Sequence, residues 1–277
     1  MNDNYYKTIE KYGHFKIASE YGNLSDNLFL TPLTKKINNI EVEMVNEEVN
    51  IIRSKVFDNL IKVTIKEKSE MIPPIPIVRG KTHISQAILD YYGIDDVNCL
   101  PVMKLTEEEI NWAKDFLKDY PNPLAIMPTN SCSWDTTNYL AQLKTFDRDM
   151  CLFFIENFGK KYTILQFGVD SGYYKTMNAK FYELPNVVHV KNLNVRQLAA
   201  CYHVIGKIIS CDTGDPYLML AVGGKVLEMV PMDVPQMYKH WEYTYSDDSL
   251  WKGEKIRAKY FNMEDYKKSL DYIDFNF

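Results

Sequence analysis

The run Ile208-Ile209-Ser210-Cys211-Asp212-Thr213-Gly214-Asp215-Pro216-Tyr217-Leu218-Met219-Leu220-Ala221-Val222-Gly223 decides the fold of this chain. Ile208 and Ile209 lie in a short apolar stretch of the kind a buried parallel strand requires. Asp212-Thr213-Gly214 is turn chemistry at that strand's carboxyl end, and Pro216 suits the first turn of a helix. Gly214 permits positive φ and lets another group approach the backbone. The free amides of a helix start, with a Thr hydroxyl and a Gly beside them, suit a phosphate or diphosphate. Open α/β sheets bind ligands at this place, outside the carboxyl ends of their strands. An ordinary strand–turn–helix with an Asp cap carries the same residues, so the rest of the chain has to decide.

Around this run the second half of the chain alternates. Helices are expected at 106–119, 138–145, 150–158, 173–182 and 195–204, and strands at 124–127, 162–167, 187–190 and 226–230. Thr106 is a cap, with Glu107, Glu108 and Glu109 favourably placed toward the helix dipole. Such alternation argues for a parallel, doubly wound sheet. Residues after Pro231 read as mostly helical and aromatic, with Lys252, Lys255, Arg257 and Lys259 on a solvated helix face.

The first half looks like a smaller α/β unit. Residues 14–18 form a plausible first strand, followed by a loop with Gly22 and Asn23 and a helix at 28–37 interrupted by Pro32. Residues 40–45 alternate apolar and acidic, which predicts a strand exposed on one face. A weak helix at 49–59 and a strand at 60–65 come next. Pro73, Pro74 and Pro76 then break the pattern, because proline suits neither a helix interior nor a central strand. A helix at 82–92 ends at Gly93. These divisions give an N-terminal Rossmann-like domain at 1–95, a second at 96–231, and a helical tail at 232–277 packing back on the first. The two domains are expected to face each other across a cleft.

Composition narrows the classes. At 46% hydrophobic and 25% charged residues, the 277-residue chain is an ordinary globular protein with room for a sizeable core. A formal charge of −5 leaves no electrostatic footprint for a polyanion partner. No apolar run is long enough to span a bilayer, and Met1-Asn2-Asp3-Asn4-Tyr5-Tyr6-Lys7 lacks the regions of a signal peptide. The five cysteines are scattered without a CxxC, which fits reduced thiols in a cytoplasm. The histidines have no metal-ligand spacing. Asp147-Arg148-Asp149 has the form of a DxD metal motif but sits between two expected helices, where capping explains it. No metal site is expected.

Two motifs carry a family resemblance. Leu198-Ala199-Ala200 precedes the strand and then Asp212-Thr213-Gly214-Asp215-Pro216-Tyr217-Leu218-Met219-Leu220-Ala221-Val222-Gly223; near the N-terminus Gly22-Asn23-Leu24-Ser25-Asp26 is followed by Thr31-Pro32. On these residues the chain resembles the ADP-heptose:lipopolysaccharide heptosyltransferases, a family of GT-B glycosyltransferases. It departs from the family pattern at Tyr217, where the family has His, and at Ser25, where it has a second Gly. Cys132-Ser133-Trp134-Asp135 lacks the family's Lys, and Asp170 is the only acidic residue near Gly168, at a shifted position.

The resemblance implies a GT-B-like fold and sugar transfer from a nucleotide-diphosphate donor, metal-independent and inverting. The donor is a co-substrate, and no cofactor is implied. Asp26 would be the base that takes the acceptor proton; otherwise it caps the helix at Leu28. Thr213, Gly214 and the amides after them would hold the diphosphate, and Asp212 would orient the turn or touch a sugar hydroxyl. Thr129, Asn130, Ser131 and Ser133 would offer donors to the donor phosphates or sugar, or form a polar surface loop. Gly168 would let the nucleotide approach, and Tyr217 would stack or donate its phenol, or else pack in its helix. The implied acceptor is a glycan or lipid-linked glycan. The alternatives are a hydroxymethylated base in DNA, as in phage DNA glycosyltransferases, and a module that binds nucleotide or glycan without catalysis.

Overall fold

The computed structural model describes residues 1–19, 24–73, 84–95, 99–129, 145–146, 148–168, 184–211, 213–231 and 256–261. They fall into two compact units, divided between Lys104 and Leu105. Each is built on its own parallel sheet.

In the first unit β1 (Lys16–Ala18), β2 (Glu41–Val45) and β3 (Lys62–Lys66) lie in that order, all parallel. Helix α1 (Asp3–Tyr12) precedes them. Asn2 caps it by accepting from the Asn4 amide, and Gly13 closes it at φ 74°. Both signals stand in the sequence. Tyr5 stacks on Phe15 (5.5 Å), and Phe15 meets Tyr92 edge-on (4.8 Å). Asn2 and Asn4 amides both donate to the Tyr91 carbonyl at 3.0 Å, tying α1 to α4 (Ile84–Tyr91). The expected helix at 28–37 is instead α2 (Leu24–Leu30) running into a 3-10 turn, Thr31–Lys35. Pro32 accounts for the change of winding, since it cannot donate to an α-helical ladder. Likewise α3 (Glu48–Arg53) gives way to a 3-10 turn, Ser54–Phe57.

The expectation of an exposed face on β2 is corrected. Glu41, Val42, Glu43 and Met44 are all buried, Glu43 completely. The period-two alternation is real, but β2 is the central strand and its neighbours supply cations. Lys16 Nζ lies 2.8 Å from Glu43 Oε1 and 3.2 Å from Glu41 Oε1, while Lys66 and Lys62 reach the same two carboxylates at 3.0 Å. The parallel register makes this possible, pairing Lys16 with Glu41 and Glu41 with Lys62. After α4 the chain stays with the first unit. Val102 N–H donates to Thr31 Oγ1 (2.7 Å), and Lys35 Nζ donates to the Leu100 carbonyl (2.8 Å). The unit therefore extends past the division read at residue 95.

The second unit carries β4 (Pro123–Met127), β5 (Thr163–Gly168), β6 (Val188–Lys191), β7 (Lys207–Cys211), β8 (Lys225–Pro231) and β9 (Ile256–Phe261). All pair in parallel, in the order β6-β5-β4-β7-β8-β9. This is the doubly wound order of dinucleotide-binding sheets, with its reversal between β4 and β7. Helix α5 (Glu107–Leu117) leads into β4, and α6 (Arg148–Phe158), α7 (Val195–Ile205) and α8 (Gly214–Ala221) lie between successive strands. Thr106 with Glu109 and Asn194 with Gln197 form capping boxes at α5 and α7. Leu124, Ile126, Phe154, Ile164 and Ile209 meet in one apolar core.

Strand β9 corrects the reading of the C-terminal stretch as helical. Ile256, Ala258 and Tyr260 alternate with Arg257 and Lys259 at a period of two, which is a strand pattern and not the helix face expected for the basic residues. The other expected helical tail residues, the expected helix at 173–182 and all but the last residue of that at 138–145 lie outside the described residues.

Candidate nucleotide-sugar site

The reversal of strand order places three carboxyl ends side by side. β5, β4 and β7 are neighbours and parallel, so the residues that follow them emerge along one sheet edge. These are Gly168 at the end of β5, Thr129 two residues past β4, and Thr213-Gly214 just after β7. Sequences far apart in the chain thus meet at the place where such sheets bind ligands. Thr129 is buried, and the Gly168 carbonyl accepts from Asn192 N–H at 3.0 Å. Asn130, Ser131, Ser133 and Asp212 lie outside the described residues.

Thr213 caps α8 from an extended conformation, φ −143° and ψ −171°. Its Oγ1 accepts from the Asp215 amide (3.2 Å), and its hydroxyl donates to Asp215 Oδ2 (2.7 Å). Of the three backbone groups left open at this helix start after Thr213, Pro216 has no N–H and Asp215 is already taken. The amides of Thr213 and Gly214 have no partner among the described residues, which leaves them for an anion.

Two residues that sequence reasoning missed complete the turn. Tyr202, wholly buried on α7, donates its phenol to Asp215 Oδ1 at 2.7 Å and meets Phe167 edge-on. Burial pushes the Asp215 carboxyl above its ordinary range, against the Tyr202 and Thr213 hydrogen bonds that pull it down. Burial also raises the Tyr202 phenol, and the Asp215 charge raises it further. Nothing in the sequence separates Tyr202 from other core residues of α7. Tyr217, expected to stack or donate its phenol or else to pack in its helix, is 3% exposed, so its ring packs inside the unit and offers no open face.

Asp26 falls in the first turn of α2, which follows the carboxyl end of β1. Because α2 begins at Leu24, Asp26 does not cap a helix at Leu28. The next residue, Asn27, is wholly buried; its Oδ1 accepts from Ser19 Oγ at 2.7 Å. A cavity of about 480 Å³ in the same unit lies elsewhere, bordered by His14, Asn39, Asn59 and Lys62. It opens at the amino ends of β2 and β3, the end opposite to that used by ligands of parallel sheets.

No protein-family model matches the chain, and no curated protein matches it in sequence. Solved structures do. A family 9 glycosyl transferase from Veillonella parvula superimposes with a TM-score of 0.61 at 11% identity, over 94% of this chain and 89% of that one. The E. coli heptosyltransferase WaaC with ADP gives 0.54 at 11% identity, over 95% and 99%. E. coli ADP-heptose lps heptosyltransferase II gives 0.51 at 10% identity, over 94% and 97%. The chain shares the α/β fold of these GT-B-type glycosyltransferases. Among the described residues no helix is long and apolar enough to cross a membrane.

Proposed function

We propose that this chain is a glycosyltransferase that moves a sugar from a nucleotide-diphosphate donor to a hydroxyl of a glycan acceptor, with inversion and without a metal ion. The observation that carries this reading is the pair of amides at Thr213 and Gly214, without a partner among the described residues, set at the strand-order reversal of a sheet whose fold is that of solved glycosyltransferases.

In the reaction, the acceptor oxygen bonds to the anomeric carbon as the bond from that carbon to the β-phosphate oxygen breaks. The acceptor proton passes to the Asp26 carboxylate, and the nucleoside diphosphate leaves with the bonding electron pair. Charge develops on the leaving diphosphate. The α8 amino end meets it with fixed N–H dipoles, which supply positive potential where other glycosyltransferases use a metal. The Asn130-Ser131 segment and Asp212 supply further contacts to the donor in this reading, and Gly168 leaves room for the nucleotide. The protein acts in the cytoplasm, where nucleotide sugars are made.

The test is a thermal-shift screen against UDP-, GDP-, ADP- and CMP-sugars, followed by NMR of the product's anomeric configuration with and without EDTA. A donor that binds only the native state raises Tm. Binding without turnover would reduce the protein to a binding module, and activity lost in EDTA and restored by Mn²⁺ would remove the metal-independent mechanism. Salt-sensitive binding to duplex DNA would redirect the acceptor to a modified base.

A further inference from the structure

The carboxylate of Asp215 occupies an awkward position in the reading above. It belongs to the residue after Gly214, at the helix start that would receive a diphosphate, and it has no cationic partner among the described residues. Both its oxygens are taken by hydroxyls: Oδ1 by Tyr202 and Oδ2 by Thr213, each at 2.7 Å. Among the described residues these are the groups that face it; the buried Cys201 thiol, which burial raises to about 12, acts on the Tyr202 phenol. An ionised Asp215 therefore does two things to the cradle. It places a negative charge beside the phosphate position, and it commits the Thr213 hydroxyl proton to itself.

Protonation removes both obstacles. A neutral carboxyl can keep the Tyr202 hydrogen bond on one oxygen and donate its own proton from the other to Thr213 Oγ1. Thr213 Oγ1 then accepts from the Asp215 carboxyl and the Asp215 amide, and its hydroxyl proton is released toward a phosphate oxygen. The burial that already raises Asp215 favours this state, and an arriving dianion favours it further.

We propose that Asp215 is a proton-linked positioning residue of the donor cradle: it holds Thr213 while the site is empty and takes up one proton as a nucleotide diphosphate binds. The inference rests on the proposed function and deepens it.

The experiment is calorimetric binding of ADP-glucose, UDP-glucose and GDP-mannose to the full chain, in buffers of different ionisation enthalpy, from about pH 5.5 to about pH 8.5. In these probes the diphosphate is esterified at both ends and does not titrate there. The expected result is uptake of up to one proton, with affinity falling by up to about tenfold per pH unit on the alkaline side. Asp215→Asn should abolish the uptake and flatten the pH profile. Tyr202→Phe removes a hydrogen bond that favours the ionised form, so it should move the midpoint up by about one pH unit. It serves where Asp215→Asn fails to fold. Asp212→Asn is the control for the other carboxylate of the turn. Binding without proton uptake, or uptake that disappears in Asp212→Asn and persists in Asp215→Asn, overturns the inference and leaves the proposed function standing. Failure of every probe to bind at any pH overturns both.

Discussion

Arg196 clasps Glu109 with two parallel bonds, Nε to Oε1 and Nη2 to Oε2, each 2.6 Å long. The pair joins the first turns of α7 and α5. Glu109 is also the third residue of the α5 capping box, so one carboxylate fixes both the start of its own helix and the seat of the next. The Arg196 guanidinium, more than any other group, holds the Glu109 carboxyl below its usual range. Lysine cannot make the paired bonds. Arg196→Lys should cost about 1–2 kcal/mol in urea denaturation, the range for a partly buried charge-assisted pair.

The β2 carboxylates set the acid limb of stability. Burial pushes Glu41 up, but hydrogen bonds from Lys62, Thr64 and Lys16 outweigh it and bring the carboxyl from 4.5 down to about 2. A carboxyl lowered in the folded state binds fewer protons there than in the unfolded chain. Its contribution is complete above pH 4.5 and is lost as pH falls toward 2. Urea midpoints measured across that interval should drop steeply in the parent. In Glu41→Gln the drop should be shallower, from a lower plateau.

Thr31 opens the Thr-Pro element of the family resemblance, yet in the structure its hydroxyl is fully used: it donates to Leu28 O and accepts from Val102 N–H, both at 2.7 Å. Thr31→Val keeps shape but leaves the Val102 amide without its acceptor. The expected loss is about 1–3 kcal/mol of stability, with donor affinity unchanged at temperatures where the variant is folded. A loss of donor affinity instead would give Thr31 a direct role in the site.

Asp26 and Thr213 should fail in different ways. Asp26→Asn removes the proton acceptor and should lower kcat by about 10²–10⁴ with donor Kd nearly unchanged. Thr213→Val removes both the cap of α8 and a phosphate contact, and should weaken donor binding by the equivalent of about 1–3 kcal/mol. Normal turnover by Asp26→Asn would move the base elsewhere.

What the sequence made legible follows its local chemistry. The strand, turn and helix at 207–221 were readable because apolar run, turn residues and cap follow one another without interruption. The same holds for α5 behind Thr106. Partnership was not readable. The alternation in β2 has the same period whether its glutamates meet water or the lysines of β1 and β3, and only the register decides. β9 is hard to read in the sequence because its alternation of basic and apolar residues is short and lies in a segment whose composition suits a helix. The Tyr202–Asp215 contact joins residues on two helices, and neither position announces the other.

Among the described residues strand β9 is the last of its sheet to be synthesised, and it covers the outer edge of β8. On the ribosome the sheet therefore spends an interval with an open parallel edge made of Lys225–Pro231, a stretch rich in Val, Leu and Met. Such an edge is a template for pairing with another chain. Once β9 is in place, the border of the described sheet is a strand whose sequence includes Arg257 and Lys259, residues of the type that discourages further strand addition. A premature stop before Ile256 should accordingly yield inclusion bodies rather than a shorter soluble protein. A chaperone that shields nascent β8 would have its greatest effect on yield during that interval.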